Sequence, residues 1–147
     1  MKTLYFSIDI NAEPEKVWKN LWESESYKKW SSVFCQGSYF EIDEFKIGNK
    51  IHFLTPEGEG MYSVIEDLIE NKYLAFKHLG AIKNFKELPL DDPSTTEWSN
   101  AIESYVLIAQ DGGTHLKINA QTADEYIDFM NETFPKALKV LKQLVEK

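Results

Sequence analysis

The chain has 147 residues, 16 basic and 24 acidic, for a net charge of −8. An acidic surplus repels phosphate backbones and anionic lipid faces unless basic residues segregate strongly, and no basic patch is visible, so neither nucleic acid nor membrane is expected as a partner. A hydrophobic fraction of 43% with 14% aromatics suits a folded core, and the length suits one domain over residues 1–147 without disulfide or metal support.

The single cysteine, Cys35, cannot close an internal disulfide, and no apolar run has the length of a signal peptide or a bilayer span. Both features favour the cytoplasm.

Leu4, Phe6, Ile8 and Ile10 alternate with Tyr5, Ser7 and Asp9, the period of a strand with one buried face. Pro14 suits the first turn of a helix, and Val17, Trp18, Leu21 and Trp22 form an apolar stripe behind it. Ser24 or Ser26 can cap a second short helix around Tyr27 to Trp30. Strands are then expected over Tyr39–Glu44, Lys50–Thr55, Gly60–Ile69, Tyr73–Leu79, Trp98–Ala109 and Thr114–Gln121. The intervening Gly48-Asn49, Pro56 to Gly58, Glu70-Asn71-Lys72 and Asp111-Gly112-Gly113 suit tight reversals, which implies an antiparallel meander. Ala81 to Glu97, polar and interrupted by Pro89 and Pro93, reads as a long mobile loop.

From Ala123 to Lys147 the pattern becomes helical. Ile127, Met130, Phe134, Leu138, Leu141 and Val145 fall on one face. Thr122-Ala123-Asp124-Glu125 matches a capping box, acidic residues crowd the first half and lysines the second, and Pro135 is expected to kink the helix near Phe134. A curved sheet gripped by one long helix tends to enclose a cavity, because such an interface is hard to fill with side chains alone.

No reactive constellation stands out. His52, His78 and His115 are scattered, so no metal site and no cofactor are expected; Cys35 lacks any sign of activation and reads as buried. Asp91, Asp92 and Glu97 lack the spacing of a calcium loop. His78 shares a strand face with Leu74 and Phe76 and is the histidine expected to look inward as a polar anchor, whereas His115 should face solvent. Glu66 and Glu103 are candidates for internal carboxylates, although such residues more often sit on a strand's solvent face. The inward phase stays open for two strands: Ser63 and Ile65 compete with Tyr62 and Val64, and Tyr105 and Leu107 with Val106 and Ile108. Trp30, Phe53, Phe76, Trp98, Met130 and Phe134 can line an apolar pocket, with His78 or Tyr105 orienting a small, largely apolar ligand.

The run Ile10-Asn11-Ala12-Glu13-Pro14-Glu15-Lys16-Val17-Trp18, then Trp30, Gly48, Gly60, Leu74-Ala75-Phe76, Trp98, Tyr105-Val106-Leu107, Gly112-Gly113-Thr114-His115-Leu116 and the closing helix Leu138 to Glu146 resemble the START-like (SRPBCC) superfamily. Within it the chain looks most like the branch related to the C-terminal domain of the activator of the ninety-kilodalton heat-shock chaperone's ATPase. The resemblance implies an α+β helix-grip fold: one strand, two short helices, six further antiparallel strands and a long C-terminal helix over a hydrophobic cavity. It implies three candidate roles: binding a small apolar or amphipathic molecule, regulating a chaperone partner through a surface, or cyclase- or hydratase-like catalysis by an internal acid or base among His78, Glu66 and Tyr105. Phe134-Pro135 stands where many relatives carry a tryptophan, so the ligand of a relative does not transfer.

Overall fold

The alternation at the amino terminus becomes strand β1, Lys2–Ile10, in a computed structural model that describes residues 1–147. Pro14 opens helix α1, Pro14–Trp22, where its missing N–H costs nothing, and the helix buries Val17, Leu21 and Trp22. Helix α2, Ser24–Ser31, follows after one extended residue and is tied back to α1 by Trp30 Nε1, which donates to the Leu21 carbonyl at 3.2 Å.

The remaining strands are β2 (Tyr39–Glu41), β3 (Lys50–Leu54), β4 (Gly60–Ile69), β5 (Tyr73–Lys83), β6 (Lys86–Glu87), β7 (Ile102–Gln110) and β8 (Gly113–Thr122). They form one antiparallel sheet in the order β1-β8-β7-β5-β4-β3-β2, with the short β6 paired to β5. Helix α3, Ile127–Val145, closes the chain and continues through Pro135. At 1.5 Å per residue its 19 residues span about 28 Å.

Two register shifts shape the sheet. Opposite β4, the β5 partner jumps from Gly80 to His78, leaving Leu79 without a partner; further along β4, Glu66 is skipped between Ile65 and Asp67. Bulges of this kind bend a strand and tighten its twist. The first redirects β5: His78 meets Ser63 on the face of the main core, while Gly80 and Ile82 come to lie on the other face, where Ile82 joins Leu54 and Tyr62 in a small cluster. In β7 Tyr105 and Leu107 face the core, and Val106 and Ile108 do not.

Several expected boundaries shift. The strand expected over Tyr39–Glu44 stops at Glu41, and the one expected from Trp98 begins at Ile102, because residues 96–101 turn back along β5: Asn100 N–H donates to the His78 carbonyl and His78 N–H to that of Ala101. The expected loop Ala81 to Glu97 is largely built structure. β5 runs to Lys83, Asn84 and Phe85 adopt positive φ as the centre of a two-residue hairpin, and β6 returns. Glu87 then pairs with Lys50 and His52, and a 3-10 turn, Pro93–Thr95, is capped by Asp92 through the Ser94 N–H. The capping box does not form either. Thr122 stays paired with Lys2 in the sheet, so the chain bends through a 3-10 turn at Asp124–Tyr126 before α3 begins at Ile127. No helix is long and apolar enough to cross a membrane.

Candidate functional site

α3 rests on α1, α2 and β1, at one edge of the sheet. Its stripe of Phe134, Ala137, Leu138, Leu141 and Val145 is buried there, with Phe134 stacked on Phe6 at 4.6 Å between ring centroids. Over the middle strands the helix does not meet the sheet backbone, and aromatic side chains fill the space between. Trp22 stands edge-on to Tyr105 (4.9 Å) and Phe76 (5.3 Å), Tyr27 to Trp30 (5.1 Å), and Phe53 to Phe76 (5.3 Å). Edge-to-face rings hold one another firmly but leave gaps where their shapes do not interlock.

Two adjoining hollows result. The inner one, about 190 Å³, is walled by α1, α2, β5, β7 and the start of α3; the outer one, about 370 Å³, opens between β3, β4, the turn before β7, and residues 126–130. Tyr27, Ser38, Phe53, Met61, His78, Glu103 and Met130 border both. Each of the eight side chains expected to line a pocket or orient its ligand borders one space or the other. Trp30, Phe76, Tyr105 and Phe134 line the inner hollow, Trp98 the outer, and Phe53, His78 and Met130 both. Trp98 reaches the wall from a turn, not from a strand.

A hydrogen-bonded polar chain crosses this apolar surround. Ser63 Oγ and His78 Nδ1 are 2.7 Å apart, His78 Nε2 and Glu103 Oε1 3.4 Å, and the Tyr105 hydroxyl donates to Glu103 Oε2 at 2.6 Å. With a proton on Nε2 the imidazole donates to Glu103, so one ring links the serine to the carboxylate. Burial pushes the Glu103 carboxyl up, but the hydrogen bond and charge of His78, together with the Tyr105 hydroxyl, outweigh it and hold the group below its ordinary 4.5. Burial first, and then the neighbouring Glu103, push the Tyr105 phenol well above its ordinary 10.0. Tyr27 is raised for the same two reasons. One buried polar atom in the hollow's wall has no partner: the indole Nε1 of Trp22.

Glu103 was not among the expected pocket residues, yet it lies two positions before Tyr105 and so shares its strand face. Glu66, the other carboxylate suspected of facing inward, is exposed at its bulge and cannot act within the chamber. Cys35 is exposed, against the expectation of burial, because it lies in the turns after α2. His115 pairs with Asp9 and His52 with Glu87, both away from the hollows. No three His, Cys, Asp or Glu side chains converge as a metal site.

Residues 11–146 match the family described as Activator of Hsp90 ATPase homolog 1-like protein. Among solved structures, the chain is similar to the Aha1 dimer from Colwellia psychrerythraea, at 25% identity and a TM-score of 0.70 over 99% of this chain and 97% of that one. A protein from Mesorhizobium loti shares the fold at 17% identity and a TM-score of 0.74, over 98% of this chain and 96% of that one. Another, from Chromobacterium violaceum, does so at 18% identity and a TM-score of 0.70, over 99% and 97%. No curated protein matches the chain in sequence.

Proposed function

The chain belongs to the Activator of Hsp90 ATPase homolog 1-like family of START-like proteins, and from that membership and the hollow beside α3 we propose that it binds a small, largely apolar ligand between α3 and the sheet. The observation that carries this reading is the pair of adjoining spaces, bordered by Phe53, Phe76, Trp30, Trp98 and Met130, with a polar chain at their common wall. Apolar contact would supply affinity, and the few convergent polar atoms would fix orientation. In this reading residues 1–147 act as one cytoplasmic binding domain.

Titration with the neutral fluorophore N-phenyl-1-naphthylamine tests it. Saturable enhancement, lost in a Met61→Trp variant whose indole fills the common part of the two hollows, is the expected result. A wild-type protein that never enhances the dye, or a filled variant that binds it equally well, rejects the proposal.

A second reading follows from the family description: contact with a chaperone ATPase through a surface. Its test is stimulation of the ATPase rate of the host's ninety-kilodalton heat-shock chaperone, and an unchanged rate at saturating protein ends it.

A further inference from the structure

Apart from the imidazole of His78, the charged side chains on the cavity walls are carboxylates. Glu103 borders both hollows and Glu59 the outer one, no lysine borders either, and the chain contains no arginine. Each Glu103 oxygen accepts one hydrogen bond, from His78 or Tyr105, which leaves acceptor capacity on both. The side chain also keeps 19% of its surface open.

An incoming anion would meet no lysine or arginine, only neutral donors such as Tyr39, Gln121 and Tyr126 along the outer hollow. The Tyr105 hydroxyl is committed to Glu103, and both nitrogens of His78 are engaged. Trp22, whose uncharged Nε1–H is unpartnered, borders only the inner hollow. A cation, by contrast, would meet a carboxylate and the rings of Tyr27, Phe53 and Trp98, which border the same outer space. Aromatic faces attract cations through their quadrupole, and in a site shielded from water a like charge is strongly disfavoured.

We propose that the ligand of this cavity is an amphiphilic amine, its protonated nitrogen seated against the Glu103 carboxylate and its apolar body directed into the aromatic inner hollow. This inference rests on the ligand-binding reading above. Glu103 acts here as the selector of head-group charge, with Tyr105 and His78 positioning it.

Three probes with one body and different heads provide the test: 2-(1-naphthyl)ethylammonium, 2-(1-naphthyl)ethanol and 1-naphthylacetate, titrated calorimetrically into the wild-type chain at neutral pH. The ammonium is expected to bind on the order of a hundredfold more tightly than the carboxylate, with the alcohol between them. Glu103→Gln is expected to collapse that ratio toward unity. Equal affinities, or a carboxylate that binds more tightly than the ammonium, overturn the amine assignment while leaving a ligand-binding cavity standing. If none of the three binds, the cavity reading falls with it. The wild-type ranking decides the matter even if the glutamine variant fails to fold.

Discussion

Glu103 keeps its charge in a half-closed apolar setting because two donors face it, and removing one should be visible in the pH dependence of stability. Tyr105→Phe deletes the 2.6 Å hydroxyl contact and leaves the ring. Hydrogen bonds to charged groups contribute roughly 1.5–3 kcal/mol, so the variant should be less stable at neutral pH by about that amount. The folded carboxyl lies below 4.5, so its contribution is complete above that value and fades as the pH falls through the lower, folded one. The deficit of the variant should therefore shrink in acid. It should also shrink above 10.0, where the wild-type unfolded chain gains by ionising a phenol that folding keeps neutral. Urea unfolding of both proteins across this range checks the shape, and a deficit independent of pH would contradict it. The inward placement of Glu103 was legible once Tyr105 was assigned to the pocket, since residues two apart on a strand share a face. The missing signal was the phase of the strand, which Val106 and Ile108 left open by being as apolar as their neighbours.

At the scale of elements, the β4–β5 pair decides what points into the cavity. The bulge at Leu79 lets His78 and Ile82, of the same parity on β5, be buried on opposite faces, and alternation alone cannot anticipate it. Gly80 is part of the same arrangement: a Cβ there would come within 2.5–2.7 Å of the Tyr62 ring and hydroxyl. That ring is held, because its hydroxyl donates to the Leu88 carbonyl at 2.6 Å. Gly80→Ala should therefore cost about 1–3 kcal/mol by overpacking, lowering Tm by on the order of 3–10 °C. Scanning calorimetry checks this, and an unchanged Tm would mean that the ring yields freely. The same hairpin shows why Ala81 to Glu97 was misread. Asn84-Phe85 lacks the Asn-Gly signature of a two-residue turn, yet Phe85 adopts positive φ with its ring lying over Gly58, a contact far off in sequence.

For the molecule as a whole, the core is solid where α3 meets β1, α1 and α2, and hollow where it stands off the middle strands. Two truncations on the same helix should separate the regions. Leu141 is fully buried in the main core, so Leu141→Ala should cost about 2–5 kcal/mol. Met130 borders both hollows and is only partly buried, so Met130→Ala removes fewer contacts and should cost about 1 kcal/mol. Chemical denaturation distinguishes the two, and equal losses would argue for uniform packing beneath α3.

The order of elements, the amphipathic face of the last helix and the inward side of β1 and β5 were determined by the sequence alone, because hydrophobic periodicity is a local property that each segment carries with it. The polar chain from Ser63 to Tyr105, the exclusion of Glu66 and the size of the hollows were decided only by the tertiary structure. Bulges, and the distance at which one element stands from another, depend on how side chains far apart in sequence fit together, and no single segment records that fit.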